Sequence, residues 1–437
     1  MGLYSFKGGI HPEYHKQETA SKPLEVMKPP EQVVIPMLQH IRVVCQPLVT
    51  KGDTVKMGQK IGESDAFLSA PVHASVSGQV VAVEPRPHQN GSHVMSVVIQ
   101  NDFQDTPAER ICEKDSFAQM SEEEIRHVVR EAGIVGMGGA GFPVHIKLDI
   151  PKGKACDTVI VNGAECEPYL SSDHHSMLEY GDELVYGLQA VMKAVGAKKG
   201  IIAVEDNKRD AEQLLCEKTK DIADIEVALL ETKYPQGSEK HIIKTVLGKE
   251  VPSGALPIDV GVVVNNVDTC INICRVIRDG MPPLKRCITI SGGSVREPKV
   301  LEARIGTPFE TLVEAAGGVV EEPLKIIAGG PMMGQCQADL SASMVKTSSG
   351  LLLLSERETG IFEEGPCLRC GKCVDACPMH LMPMLLSVAG RKKNVEQSVK
   401  LHAVDCLECG CCTYSCPSHR YLLEGIRMAK QHAVART

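Results

Sequence analysis

The 437-residue sequence lacks features that mark several common classes of protein. Basic residues are not in excess: the formal net charge is −8, which argues against a nucleic-acid-binding protein. No apolar run approaches the ~18 residues of a membrane helix, since the longest candidate run is Leu351 to Leu354. The first residues contain no apolar signal core. We therefore expect a soluble, unexported protein with no membrane span of its own.

Cysteine, by contrast, is abundant. The chain has 18 cysteines, and nine of them lie between Cys367 and Cys416. In a chain without an export signal, such density indicates metal binding in a reducing compartment rather than disulfide bonds.

Eight of the nine form two copies of one motif, Cys-x2-Cys-x2-Cys-x3-Cys-Pro, which begin at Cys367 and Cys406. This spacing is typical of loops that bind [4Fe–4S] clusters, and in two-cluster ferredoxins the fourth cysteine ligates the other cluster. We therefore expect two clusters with crossed ligands: Cys367, Cys370, Cys373 and Cys416 for one, and Cys406, Cys409, Cys412 and Cys377 for the other. The fourth cysteine of each run is expected to begin a helix, with the following proline in its first turn.

Structural zinc is the alternative, and a single Cys-x2-Cys pair would leave it open. Two complete runs, closed by Pro378 and Pro417, favour iron–sulfur clusters. Gly371 and Gly410 are expected to let the backbone turn closely around each cluster. Cys411 has no predicted ligand role.

Strand and helix patterns divide the rest of the chain into several predicted domains, and they predict a multidomain α/β and α+β protein. Short β runs such as Val33–Ile35 and Ile41–Val44 predict a small β domain, and Ser121 with Glu124 predicts a helix start through a capping box. The predicted parts are an N-terminal arm (1–30), a β domain (31–110), an α/β domain (120–285), a small α+β module (286–350) and a helical cluster-binding domain (355–437).

The β domain resembles the barrel-sandwich, or hammerhead, fold of lipoyl and biotinyl carriers. The likeness rests on Leu48–Val55, Gly58–Gly62 and the stretch from Ala70 to Val80. Ala66 stands where those carriers have the modified lysine. We therefore expect a carrier-like scaffold without a swinging arm.

A second candidate site is the glycine-rich segment Gly136–Pro143, followed by Lys147. Glycines let backbone N–H groups approach a phosphate or a flavin ring, although a lone glycine-rich stretch can also be a tight turn. Three further segments, each after a predicted strand or loop, strengthen the first interpretation: Asn162–Pro168, Tyr234–Lys240 and Asn265–Thr269.

These four segments, in this order, resemble the flavin-bearing NADH-oxidising subunit of respiratory complex I. The whole chain is still more similar to the C subunits of Rnf complexes, which also begin with a motif like Phe6–Pro12. The resemblance implies a Rossmann-like domain that binds non-covalent FMN and NAD(H) over 120–285, and a soluble-ligand-binding β-grasp domain over 286–350. It also implies a two-cluster ferredoxin-like C-terminal domain.

The resemblance further implies a set of cofactor-binding residues within the α/β domain. For the flavin and its ribityl phosphate they are Gly136, Gly138, Gly139, Lys147, Asn162, Asn265, Asn266 and Thr269. Glu165, Glu167 and Glu239 are expected to face the flavin ring and the nicotinamide nucleotide, and Phe142 to pack on a ring.

NADH delivers two electrons as hydride, whereas a [4Fe–4S] cluster carries one, and a flavin connects the two. No catalytic general base or nucleophile is expected. The resemblance implies a peripheral subunit on the cytoplasmic side of the cell membrane, in an ion-translocating complex that links ferredoxin indirectly to NAD⁺ through membrane subunits. Docking charges are expected among Arg391–Lys393, Arg420, Arg427, Lys430 and Arg436, with an ordinary solvated surface as the alternative.

Two other functions remain open from the residues. One is the flavin subunit of a soluble NAD-linked hydrogenase or formate dehydrogenase, against which the N-terminal hammerhead counts. The other is a non-catalytic scaffold that carries clusters.

Overall fold

The computed structural model describes residues 3–360 and 362–435. The N-terminal arm is mostly extended, as predicted, with one short helix, Gln17–Ala20, and one short strand, Glu25–Val26. It lies along the body of the protein: Tyr4 and Ile10 form β-bridges with Leu230 and Tyr234. The arm therefore packs as part of the fold, and its Lys16 and Thr19 are buried.

The β domain consists of two small antiparallel sheets around one core. The four-stranded sheet has the order Gln32–Pro36, His93–Asn101, Gly78–Pro87, Thr54–Val55, and the three-stranded sheet has the order Gln46–Pro47, Lys60–Glu63, Val72–His73. Side chains that alternate along these strands form the core, including Val33, Ile35 and Ile61.

The strand predicted over Ile41–Val44 is wrong. This segment is a bend, in which Arg42 has a φ of +73° and the N–H of Ile41 bonds to Gly141 O. A left-handed residue cannot continue a β ladder, and Ile41 N is bonded to the glycine-rich segment instead of to a neighbouring strand.

The α/β domain has a four-stranded, fully parallel sheet with the order Ile225–Leu230, Lys199–Glu205, Thr158–Gly163, Val262–Asn266. Its helices are Glu122–Glu131, Val144–Leu148, Ser172–Glu179, Gly181–Val195, Arg209–Thr219, Glu239–Leu247 and Val267–Asp279, with 3-10 turns at Phe117–Gln119 and Pro257–Val260. The predicted capping box of Ser121 and Glu124 is confirmed. The chain order reverses between Thr158–Gly163 and Val262–Asn266, and such a switch point opens a crevice at the carboxyl ends of the strands.

The third module is a six-stranded mixed sheet with one helix, Phe309–Ala315. Its strand order is Glu25–Val26, Lys299–Arg304, Lys285–Ser291, Gly350–Leu354, Lys325–Ala328, Gln335–Gln337. The four-leucine run that ends the strand Gly350–Leu354 is buried inside this sheet, so the module extends beyond residue 350.

The C-terminal domain is helical. Its helices are Lys372–Asp375, Pro383–Arg391, Val395–Lys400, Cys411–Tyr414 and Leu422–Val434, with a 3-10 turn at Ala403–Asp405. The two long helices pack closely, because a Cβ on Gly390 would lie only 1.9 Å from Gly425 O. Among residues 3–360 and 362–435, no helix combines the length and apolar character needed to cross a bilayer.

The expected helix starts at Cys377 and Cys416 are wrong. Each of these cysteines follows a one-turn helix and enters a turn, and the next long helix begins at Pro383 or Leu422. The prolines after the cysteines therefore lie in turns rather than in a first helical turn.

Candidate cofactor sites

The glycine-rich segment lies at the switch point of the parallel sheet. Thr269 ties it to the helix Val267–Asp279, since its hydroxyl accepts from Met137 N at 3.1 Å and lies 3.3 Å from Val135 O. Gly138 packs against Asn266, whose side chain accepts from Asp268 N and caps the same helix. The segment is thus held at the end of a helix whose free N–H groups favour an anion.

Two features of the residues at the switch point fit a flavin. Around Gly139, a Cβ would meet no atom within 4 Å, and around Gly136 none closer than 3.7 Å. Asn265 is buried, and its Nδ2 has no hydrogen-bond partner among the residues that the structure describes. An open surface of backbone beside a buried donor without a partner fits a polar ring system and its phosphate tail.

Lys147 and Glu239 form an ion pair at the mouth of the crevice. Lys147 Nζ lies 2.9 Å from Glu239 Oε1 and donates to Val264 O at 2.9 Å. Both side chains remain partly exposed, and Phe142 nearby in sequence is half-buried. Lys147 is therefore held by one carboxylate and one backbone carbonyl.

Asn162 holds the loop that follows the strand Thr158–Gly163. Its side chain donates to Gly237 O at 2.7 Å and accepts from Ala164 N at 3.2 Å. Two of the predicted segments are therefore joined directly through one amide.

Two buried lysines that sequence reasoning missed support the same loop. Lys16 Nζ donates to Glu165 O at 2.6 Å, and Lys208 Nζ donates to Ala164 O at 2.6 Å. Burial, together with the charge of Lys208, lowers the pKa of Lys16 to about 8. No local pattern distinguishes these lysines from surface lysines, because their carbonyl partners lie far away in sequence.

The predicted acidic residues have defined protein partners. The Glu165 carboxylate accepts from Asp173 N at 2.7 Å and from His174 N at 3.3 Å. Burial alone would raise the pKa of Glu165, but Lys16 and Lys208 hold it below its usual range.

The Glu167 carboxylate bonds to a different module. It accepts from Met332 N at 3.0 Å and from Met333 N at 2.9 Å, in the loop after Lys325–Ala328. Burial raises the pKa of Glu167 to about 7. Its contacts link the α/β domain to the six-stranded module, a role that the sequence did not reveal.

Asp173 is a further group that sequence reasoning missed. Its Oδ2 accepts from Asn266 Nδ2 at 2.6 Å, and burial together with Glu165 raises the pKa of Asp173 to about 8. The local sequence gave little indication of this role, because Asp173 lies in Ser-Ser-Asp-His-His, a pattern typical of a helix start.

The cysteines of the second predicted set surround one cavity in the C-terminal domain. Cys377, Cys406, Cys409 and Cys412 all line it, together with apolar residues such as Leu386 and Ile426. The first motif thus contributes its fourth cysteine to the cavity of the second motif, in agreement with crossed ligation. Cys411 lines the same cavity.

In the first set, burial raises the pKa of Cys373, and the charges of Cys416 and Cys367 raise it further, so both of these thiols lie within electrostatic reach of Cys373. Gly371 and Gly410 have φ values of +82° and +79°, as the expected tight turns require.

Within residues 3–360 and 362–435, no three Cys, His, Asp or Glu side chains are arranged to hold a single metal ion. A [4Fe–4S] cluster is held by four cysteine thiolates, and four motif cysteines line the cavity of the second set.

Most of the expected docking charges have partners within the domain. Arg391 and Arg420 pair with Glu364, while Arg427 and Lys430 pair with Glu408. Arg436 lies outside the described residues. Lys392 and Lys393 are exposed.

Four family models match successive parts of the chain. They are the RnfC barrel sandwich hybrid domain over 4–104, the Nuo51 FMN-binding domain over 129–275, the SLBB domain over 287–335 and a 4Fe-4S dicluster domain over 366–419. These matches confirm the predicted fold class and the FMN and [4Fe–4S] cofactors.

A solved structure is similar in fold. The air-oxidized NAD⁺-reducing [NiFe]-hydrogenase matches with a TM-score of 0.54 and 21% identity, over 75% of this chain and 65% of that one. At this identity the likeness concerns the fold alone.

Two relatives in sequence are similar to this chain over most of their length. The C subunit of a Na(+)-translocating ferredoxin:NAD(+) oxidoreductase complex from Acetobacterium woodii is 48% identical over 99% of this chain and 97% of its own length. The proton-translocating counterpart from Clostridium ljungdahlii is 47% identical over 89% of this chain and 85% of its own length. The chain belongs to the family of C subunits of ion-translocating ferredoxin:NAD⁺ oxidoreductase complexes, the Rnf complexes.

Proposed function

We propose that this chain exchanges hydride with NAD(H) at FMN and passes single electrons through two [4Fe–4S] clusters. It does so as one subunit of a membrane-bound, ion-translocating ferredoxin:NAD⁺ oxidoreductase. The observation that carries the proposal is that four cysteines from two motifs line one cavity, in the same chain as a switch-point crevice with open glycines.

In this proposal the crevice residues bind and orient FMN. Gly136, Gly138 and Gly139 present backbone, Asn265 supplies its free Nδ2, and the helix Val267–Asp279 directs N–H groups toward the phosphate. When bound, FMN accepts hydride and releases electrons one at a time.

The nucleotide is proposed to lie over the mouth of the crevice. Lys147 is held by Glu239 and Val264 O, so it is oriented before a phosphate arrives. Phe142 is proposed to pack on a ring of the nucleotide or the flavin. Asn162, with Lys16 and Lys208 beneath it, keeps the adjoining loop in place.

The clusters are proposed to be ligated by the eight motif cysteines, in the crossed pairing. The domain limits 1–30, 31–110, 120–285, 286–350 and 355–437 are proposed as the working boundaries, with the strand Gly350–Leu354 added to the fourth part. We place the chain peripherally on the cytoplasmic face of the membrane, where membrane subunits deliver electrons that originate from ferredoxin.

The hydrogenase and formate dehydrogenase alternative is less favoured. The similar hydrogenase structure matches at 21% identity, whereas the two C subunits match at 47% and 48% over most of this chain. The experiment that follows distinguishes the proposed function from the alternative of a non-catalytic scaffold that carries clusters.

The test is anaerobic purification of the full chain after reconstitution with iron, sulfide and FMN. We expect about eight iron atoms and eight sulfides per chain, since two cubanes hold four of each, together with one FMN and NADH–ferricyanide activity. Cys370→Ser should lower the iron content by about half, whereas Cys216→Ser, an exposed cysteine outside the motifs, should leave it unchanged. Zinc in place of iron, or full iron without flavin or NADH oxidation, contradicts the proposal.

A further inference from the structure

The N-terminal motif Phe6–Pro12 contacts the C-terminal domain beside one cluster ligand. Gly9 N donates to Ala376 O at 3.1 Å. Gly8 has a φ of +83°, and a Cβ there would lie 2.8 Å from Cys377 O and 3.1 Å from Pro378 Cα. A side chain at Gly8 is therefore excluded both by backbone conformation and by the peptide that follows Cys377.

Two side chains of the α/β domain reach the same region. Tyr234, which is 1% exposed, donates from its hydroxyl to Cys409 O at 2.8 Å. His241 Nε2 donates to Pro378 O at 3.0 Å, and the Phe6 ring packs on the His241 ring at 4.7 Å. Tyr234 and Ile10 also exchange backbone hydrogen bonds at 2.9 Å, so the arm and the side chains form one layer.

The contacts of Gly8, Gly9, Tyr234 and His241 with the C-terminal domain all reach residues 376–378 or Cys409, at or beside ligands of the same predicted cluster. By contrast, residues 366–372, which carry Cys367 and Cys370, are exposed. The two motifs are similar in sequence, so this asymmetry arises from their surroundings rather than from the motifs themselves.

We infer that the Phe6–Pro12 motif, Tyr234 and His241 position the cluster of Cys377, Cys406, Cys409 and Cys412 against the flavin domain, making it the flavin-side cluster. The inference rests on the proposed function, because it assumes flavin in the crevice and clusters on the cysteines. The segment Tyr234–Lys240 also contains Glu239, which pairs with Lys147 at the mouth of the crevice, so one short stretch contacts both sites. The more exposed cluster of Cys367, Cys370, Cys373 and Cys416 then faces the partner subunits.

The physical reason is that hydrogen bonds and solvent exclusion around a cluster set its potential, while fixed packing sets its distance from the flavin. Tyr234 and His241 fix two peptide carbonyls of the ligand loops, and Gly8 allows the arm to close over the Cys377 turn. These are positioning residues, since they act through the ligand loops.

The experiment compares Gly8→Ala with Gly91→Ala in the reconstituted full chain. Gly91 has a nearly equal φ of +81°, but a Cβ there would meet nothing within 4 Å, so it controls for backbone strain alone. We expect Gly8→Ala to change the EPR signal of the cluster that Cys409→Ala removes, and to slow electron transfer from NADH-reduced flavin to that cluster. Gly91→Ala should do neither.

Hydrogen-bond variants keep the test valid if Gly8→Ala fails to fold. Tyr234→Phe should shift the midpoint potential of the same cluster, whereas Tyr421→Phe, which loses an exposed hydroxyl bond to Phe362 O, should not. His241→Leu should shift it, and His241→Gln should restore it in part. An unchanged signal in Gly8→Ala and Tyr234→Phe, or a change confined to the cluster of Cys367 and Cys370, overturns the inference.

The loading measurements separate this inference from the proposed function. Absence of flavin or iron in the unmodified chain refutes the proposed function. Full loading and normal reduction of flavin by NADH, with Gly8→Ala and Tyr234→Phe indistinguishable from the unmodified chain, refutes only the positioning role.

Discussion

Alanine at two neighbouring glycines should separate folding from flavin binding. At Gly138, an added Cβ would lie 2.5 Å from Asn266 Nδ2 and 2.9 Å from Asn266 Cβ, so the whole Asn266 side chain must move. At Gly139, an added Cβ would meet no protein atom within 4 Å, and φ is not in the left-handed region at either position.

The cost of Gly138→Ala follows from what Asn266 does. Moving it removes the N-cap of Val267–Asp279, worth about 1 kcal/mol, and its 2.6 Å bond to Asp173, worth about 1 kcal/mol. For a domain of this size, a loss of about 2 kcal/mol lowers the melting temperature by roughly 4–8 °C. Gly139→Ala should leave the melting temperature of the flavin-free protein unchanged.

Flavin affinity should respond differently in the two variants. The methyl group of Gly139→Ala projects into the space that we assign to FMN, so we expect weaker FMN binding in a fluorescence titration although the protein is as stable as before. Differential scanning fluorimetry of the flavin-free chains supplies the stability comparison. Normal FMN affinity in Gly139→Ala, or normal stability in Gly138→Ala, would refute this account of the crevice.

Three further predictions concern stability. Burial raises the pKa of Glu167 from 4.5 to about 7. The stabilisation from its protonated form is therefore fully present below pH 4.5, and the free energy of unfolding falls by about 3 kcal/mol as the pH rises to 7 and above. The urea midpoint should fall from pH 4.5 to pH 8, and it should fall less in Glu167→Gln. Lys16→Met should destabilise the chain by about 2 kcal/mol, because the partly buried Glu165 O and the buried Leu170 O lose their donor; an unchanged urea midpoint would contradict this. Ser121→Ala should lower stability by about 1 kcal/mol through loss of the cap on Glu124 N, and flavin and iron contents measured alongside should not change.

Features that depend on local sequence could be predicted. The capping box at Ser121 follows from residues close together in the sequence, and the α/β character of residues 120–285 follows from the alternation of strand and helix patterns. The two cysteine motifs follow from ligand spacing, and their crossing is supported by the cavity that Cys377 shares with Cys406.

Features that depend on distant contacts could not be predicted. Lys16 reaches a carbonyl 149 residues away, and Glu167 accepts from an N–H 165 residues away. Neither contact produces a periodic pattern in the sequence from which it could be predicted. The strand predicted over Ile41–Val44 is wrong for a related reason: Ile41 N bonds to Gly141 O, 100 residues away in sequence, and Arg42 has a left-handed backbone.

The most direct test of the central claim is EPR spectroscopy of the dithionite-reduced chain carrying Cys377→Ala, compared with Cys370→Ala and Cys409→Ala. Crossed ligation predicts that Cys377→Ala alters the same cluster signal as Cys409→Ala and leaves intact the signal that Cys370→Ala alters. If Cys377→Ala instead reproduces the spectrum of Cys370→Ala, each motif holds its own cluster and the account of the cysteine cavity is wrong.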